Sequence, residues 1–176
     1  MSKTLIIVAH PTLATSRANR TIVEQLEKST NYTIHKLYDA YPNRRINVER
    51  EHELLLTHEK IVLLFPVYWY SSPSLLKEWQ DAILTHNFAY GSHGNALANK
   101  KIMLCCTNGT SKADYDALDH GKTSLLDLLK PFEWTFKYCK MDYIEPFIIY
   151  SAGSLDENEL IAKTMELIVG IGEFRD

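Results

Sequence analysis

Three stretches of this 176-residue chain place polar and aromatic side chains directly behind apolar runs. The first is His10-Pro11-Thr12-Leu13-Ala14-Thr15-Ser16-Arg17-Ala18-Asn19. It leads into a helix N-terminus, where unpaired N–H groups and the helix dipole favour a phosphate. Ser16 and Asn19 can donate to phosphate oxygens, and His10 or Arg17 can add charge. Ser16 is equally a helix cap that needs no ligand. The second stretch runs Phe65-Pro66-Val67-Tyr68-Trp69-Tyr70-Ser71-Ser72-Pro73. Three aromatics behind a buried strand can stack on a planar ring and shut out water. A dimer contact or a satellite core is the competing reading. The third is Thr107-Asn108-Gly109-Thr110-Ser111, continuing through Tyr115 to His120-Gly121. Gly109 lets backbone approach a ligand closely. Successive N–H groups there could meet an electron-rich edge, and Tyr115 and His120 could move a proton.

A phosphate, a planar ring and a polar edge together describe a flavin, and no one loop would carry that reading alone. Other nucleotide sites fit worse. GxxxxGK[ST] and GxGxxG are both missing. A hydrolase would want GxSxG, which is also missing. The seven histidines show no HExxH and no paired i, i+4 set, so no metal is expected. Cys105, Cys106 and Cys139 give neither a disulfide framework nor zinc spacing, and read as small buried hydrophobes. A formal charge of -3 without a long basic run argues against nucleic acid and against a polybasic membrane anchor. No run approaches the roughly 18 to 20 apolar residues of a membrane span, and no signal-peptide pattern is present. The chain is expected in the cytoplasm.

These loops need elements to hold them. Thr4–Ala9, Ile61–Phe65 and Ile102–Cys106 are continuous apolar runs, as strands buried on both faces should be. Tyr32–Leu37 alternates and reads as a strand. Tyr143–Tyr150 is a fifth, with Pro146 marking an edge position. Helices are predicted over about Ala18–Lys28, Val48–His58, Pro73–Leu84 and Thr123–Phe132, with a last one from Asp156 to near Gly170. The segments 38–47, 86–100 and 107–121 read as loops. Strand and helix alternate five times, which predicts a single α/β domain over 1–176: a five-stranded parallel sheet between two helical layers, with ligands beyond the strands' carboxyl ends.

Within this frame the chain resembles the NAD(P)H:quinone oxidoreductase family of flavodoxin-like proteins. The match rests on the opening strand with AHP and then SRAN, on FPVYWYSSPSLLKEWQDAIL, on Phe88–Gly91 (FAYG) and on the TNGT loop. The chain is most similar to the short ancillary proteins of glutathione-gated potassium-efflux systems and to general stress reductases. The resemblance implies a flavodoxin-like three-layer sandwich. It implies two-electron hydride transfer from NADPH or NADH, through bound flavin, to a quinone-type acceptor. His10 and Ser16, Arg17, Ala18 and Asn19 would hold the flavin phosphate. Val67, Tyr68, Trp69 and Tyr70 would flank the ring. Thr107, Asn108, Gly109 and Thr110 would touch its polar edge, with TNGT replacing the usual TTGG. Tyr115 and His120 would assist hydride transfer, His120 after a one-residue shift. The short chain, without the C-terminal extension of the larger FAD members, implies FMN rather than FAD. A homodimer is implied too, supported by Trp69, Tyr70 and the aromatic Phe88–Tyr90 loop. The alternative is a regulatory subunit of a membrane potassium-efflux transporter, peripheral at the inner face of the cell membrane, whose reductase activity is incidental.

Overall fold

The computed structural model describes residues 4–117 and 122–173. Five strands, β1 (Thr4–Val8), β2 (Tyr32–Lys36), β3 (Lys60–Pro66), β4 (Lys101–Thr107) and β5 (Asp142–Ile149), form one parallel sheet in the order β2-β1-β3-β4-β5. Between them run α1 (Arg17–Leu26), α2 (Leu37–Ala40), α3 (Val48–Leu56), α4 (Ser74–Ile83), α5 (Lys112–Ala117) and α6 (Leu125–Tyr138), and α7 (Glu157–Gly172) follows β5. The predicted α/β architecture is thus observed. Among the described residues no helix is long and apolar enough to cross a membrane.

The apolar runs of β1, β3 and β4 are continuous because both faces of the sheet are covered. On one face Leu5, Ile7, Leu63, Phe65 and Leu104 pack under α3, α4 and α6. On the other Ile6, Val8, Val62, Leu64 and Met103 pack under α1 and α7. The period of two sends Cys105 to one face and Cys106 to the other. All three cysteines are free and buried, as expected. Burial pushes the Cys105 thiol up to about 12, so it stays protonated and inert.

Four elements differ from the sequence reading. Segments 37–40 and 112–117 are helical, but each is too short to display a helical period. Pro73 precedes α4 as its N-cap rather than opening its first turn. The sixth helix continues through Pro131 to Tyr138. Leu125, Leu129, Phe132 and Phe136 share its buried face, and Phe132 stacks on Phe65 with ring centroids 5.4 Å apart. That packing outweighs the hydrogen bond that Pro131 removes. Pro146 does lie on an edge strand, and the β4–β5 register slips by one residue between Met103 and Cys105.

The helix before the aromatic stretch is fixed from below by a buried carboxylate. Glu51 of α3 has no exposed surface. It accepts from Trp79 Nε1 of α4 at 2.7 Å, from His35 Nε2 of β2 at 2.9 Å and from the Tyr41 hydroxyl. Burial pushes its carboxyl up, but the bonds from His35, Tyr41 and Trp79 outweigh this and leave it below the usual range.

Loop 86–100 is mostly irregular, as expected, but its aromatics turn inward. Phe88 stacks on His52 of α3 at 3.4 Å, and Tyr90 packs against Tyr138. Gly91 adopts a φ of 93°, and a Cβ there would lie 2.7 Å from the His86 ring. The Phe88 and Tyr90 rings are both half-buried, so each packs within the chain and keeps part of its surface open.

Candidate cofactor cleft

The chain leaves a cleft of about 290 Å³ at the carboxyl ends of β1, β3 and β4. The first loop contributes His10, Ser16, Arg17, Ala18 and Asn19. The second contributes Pro66, Val67 and Tyr68, and the third Thr107, Asn108 and Gly109. Separate strands thus bring parts of all three stretches to one place. A fourth loop, after β5, supplies Ala152 and Gly153. Sequence reasoning passed over these two, because neither carries a side chain with chemistry. The one available signal was a glycine just beyond a strand.

At the α1 end, Ser16 is the N-cap and its Oγ accepts from Asn19 N–H at 3.3 Å. The cap and the cleft wall are the same residue, so the two readings of Ser16 coexist. Asn19 is 3% exposed and donates through Nδ2 to Thr107 Oγ1 at 2.8 Å, tying the first loop to the third. Arg17 Nη2 donates to the Gly153 carbonyl at 2.6 Å.

His10 Nδ1 accepts from Thr12 N–H at 3.1 Å. Burial lowers its pKa below 6.5, so both effects favour the neutral imidazole over the cation.

The third loop offers fewer backbone donors than its sequence suggests. Asn108 N–H donates to Ile149 O at 3.0 Å, and Thr110 N–H to Asn108 Oδ1 at 2.5 Å. Asn108 thereby closes an Asx turn onto Thr110, the position where the family pattern has its second glycine. Thr110 lies outside the cleft lining. Asn108, however, is 6% exposed, and its Nδ2 finds no hydrogen-bond partner among the described residues. A buried donor left unpaired costs about 1–3 kcal/mol, and this one belongs to a residue that lines the cleft.

Trp69 and Tyr70 follow Tyr68 in the chain but are not among the residues that line the cleft. They are the two central residues of a turn in which Tyr68 N–H donates to Ser71 O at 2.9 Å and Ser71 N–H to Tyr68 O at 3.0 Å. Both have positive φ, 48° and 64°, as a type I′ turn requires and as bulky residues rarely tolerate. Trp69 is 94% exposed.

Tyr115 is buried in α5 and lies outside the cleft lining, its ring edge-on to Tyr150 with centroids 6.3 Å apart. Burial, with a smaller contribution from Tyr70, raises its hydroxyl pKa. His120 lies outside the described residues. Among the described residues no cluster of His, Cys, Asp or Glu could hold a metal ion.

A family model described as the flavodoxin-like fold matches residues 2–168. The chain is 42% identical to the NAD(P)H oxidoreductase YrkL of Bacillus subtilis, over 90% of this chain and 91% of that one. It is 40% identical to the glutathione-regulated potassium-efflux system ancillary protein KefG of Pectobacterium atrosepticum, over 90% and 86%. The general stress protein 14 of Treponema denticola, solved in complex with FMN, superposes with a TM-score of 0.92 at 37% identity, covering 98% of this chain and 99% of that one.

Proposed function

The chain belongs to the flavodoxin-like fold family, and on that premise we propose that it is an FMN-dependent NAD(P)H oxidoreductase with a quinone-type acceptor. The observation that carries this reading is the convergence of the three loops on one cleft that also contains the start of α1. A flavin mononucleotide matches both, having a phosphate at one end and carbonyl acceptors on its ring edge. The FMN complex of the 37%-identical stress protein supports the choice of cofactor.

Each wall has a task in this reading. The first N–H groups of α1, the Ser16 hydroxyl and the Arg17 guanidinium hold the phosphate. His10 packs edge-on to Tyr68, with centroids 6.4 Å apart, and fills the corner beside the ring. Val67 and Tyr68 orient the ring, while Trp69 and Tyr70 narrow its approach and exclude water. The Thr107–Gly109 loop would hold the ring's polar edge, where donors favour the reduced, more anionic form. Bound FMN supplies the two-electron carrier between nicotinamide and acceptor. Tyr115, held protonated, is the proposed proton source, with His120 as its proposed relay.

Purified protein reconstituted with FMN should be yellow, with the absorption of oxidised flavin, and NADPH or NADH should bleach it. Quinone should then restore the colour. Protein that binds no flavin by calorimetry would refute the reading.

The 40%-identical KefG ancillary protein favours a second reading, in which the chain docks at the inner membrane face on a potassium-efflux transporter. A reductase-dead variant that still raises potassium efflux in cells carrying such a transporter would select it.

A further inference from the structure

Asn108-Gly109 is the only Asn-Gly pair in the chain, and both residues line the cleft. The Asn108 carboxamide is held for a reaction with its own backbone. Its Oδ1 accepts from Thr110 N–H at 2.5 Å, which folds the side chain over the intervening peptide and sets Cγ beside the Gly109 nitrogen. The same N–H polarises the carbonyl and stabilises the charge that an attack on Cγ would develop. At the other end Nδ2 is buried and has no hydrogen-bond partner among the described residues, so nothing retains it as a leaving group. The Gly109 N–H is likewise bonded to nothing among the described residues. A Cβ at Gly109 would meet nothing within 4 Å, so this side of the peptide is open.

We propose that Asn108 is a self-modifying site, which converts to aspartate and isoaspartate and thereby limits how long the cleft keeps its cofactor. The Gly109 nitrogen bonds to Asn108 Cγ, the Cγ–Nδ2 bond breaks, and Nδ2 departs as ammonia with the Gly109 proton. Water then opens the cyclic imide. Opening at Cγ gives aspartate, and opening at the main-chain carbonyl gives isoaspartate. Nothing is oxidised or reduced, and water is the only co-reactant. Holding the two reacting atoms side by side is what makes such a step fast. The consequence for the cofactor rests on the flavin reading above. The cleft lining contains no Asp or Glu, so either product brings a carboxylate to a wall that would hold an anionic ligand. Isoaspartate also lengthens the main chain by one carbon just where Asn108 N–H donates to Ile149 O and Asn108 O accepts from Ala152 N–H.

The test incubates the full chain, freed of flavin, in mildly alkaline buffer and follows each asparagine by peptide mapping and mass spectrometry. Asn108 should convert at least ~10-fold faster than any other asparagine, as expected of a pre-aligned pair. Gly109→Ala, which sets a methyl group beside the attacking nitrogen, should slow the conversion several-fold. The added Cβ fits, so this variant should melt like the wild type. Converted protein, and Asn108→Asp as its mimic, should each bind FMN ~10-fold more weakly than fresh protein, a difference of about 1.4 kcal/mol. Conversion at Asn108 no faster than elsewhere, or an unchanged rate in Gly109→Ala, would overturn the site. Converted protein that binds FMN as tightly as fresh protein would overturn its effect on the cofactor. Fresh protein that binds no FMN would instead refute the flavin reading, while the mass measurement still decides the modification.

Discussion

Ser16 shows how one hydroxyl can serve two ends. Its Oγ accepts from Asn19 N–H while the same residue lines the cleft. Ser16→Ala should therefore lower stability by about 1 kcal/mol as a lost cap. It should also weaken FMN binding by about 1.5 kcal/mol as a lost bond to a charged group. Denaturation of the flavin-free protein reads the first effect and calorimetry the second; a change in stability alone would leave Ser16 as a cap only. Tyr115 is tested differently, because it lies outside the cleft lining. Tyr115→Phe should slow flavin reduction by up to ~10²-fold with flavin still bound, as measured by stopped-flow bleaching. An unchanged rate would assign Tyr115 to packing against Tyr150. The polar residues of the first and third loops were legible because each follows an apolar run that could only be a buried strand. Ala152 and Gly153 were not, because a backbone carbonyl leaves no mark in a side-chain pattern. The preference of His10 for its neutral form depends on burial and on the Thr12 N–H, and neither can be seen along the chain.

The turn Tyr68–Ser71 is the element where sequence and conformation disagree most. Type I′ turns want Asn-Gly, yet Trp69 and Tyr70 occupy the two left-handed positions. Each such residue costs on the order of 1–3 kcal/mol. Replacing the pair with Asn-Gly should raise stability by about 1–2 kcal/mol and lower turnover with nicotinamide or quinone. A thermal melt and a steady-state assay check the two halves. A variant both more stable and fully active would mean that the aromatics have no role at the mouth. The aromatic run was legible as a cluster, but its turn was hidden because no Gly or Asn announced it. The extension of α6 was hidden for the opposite reason: Pro131 announces a break that the packing of Phe132 and Phe136 overrides.

At the scale of the whole molecule, the Glu51 cluster joins β2, α3 and α4, with Tyr41 just beyond α2. Glu51→Gln should destabilise the protein by about 3 kcal/mol, since breaking a buried charged cluster leaves its partners unmatched. The pH dependence has a definite sign. The folded pKa of Glu51 is depressed below 4.5, so its contribution is complete above that value. It is lost as pH falls through the folded pKa. Acid unfolding of wild type and variant should converge only once pH has fallen through that depressed folded pKa. A constant difference across the whole acid range would remove Glu51 as the titrating group. A homodimer remains the expected assembly, with Trp69, Trp134 and Tyr138 all exposed and Tyr90 of loop 86–100 packed on Tyr138. Sedimentation at micromolar concentration should give twice the chain mass, and a monomer with full turnover would contradict it. The layered architecture was legible in full from the alternation of strands and helices, because a sheet covered on both faces leaves no other pattern.

The slipped register beside Pro146 has one more consequence, for life at high concentration. A flat outer strand offers its free amides as a template on which other chains can polymerise. On β5 the proline withholds an amide in mid-strand, and the irregular pairing with β4 distorts the ladder around it. A strand arriving from another molecule would meet a missing partner at this margin. The kink that costs the sheet one regular step thus makes this edge a poorer template for another strand.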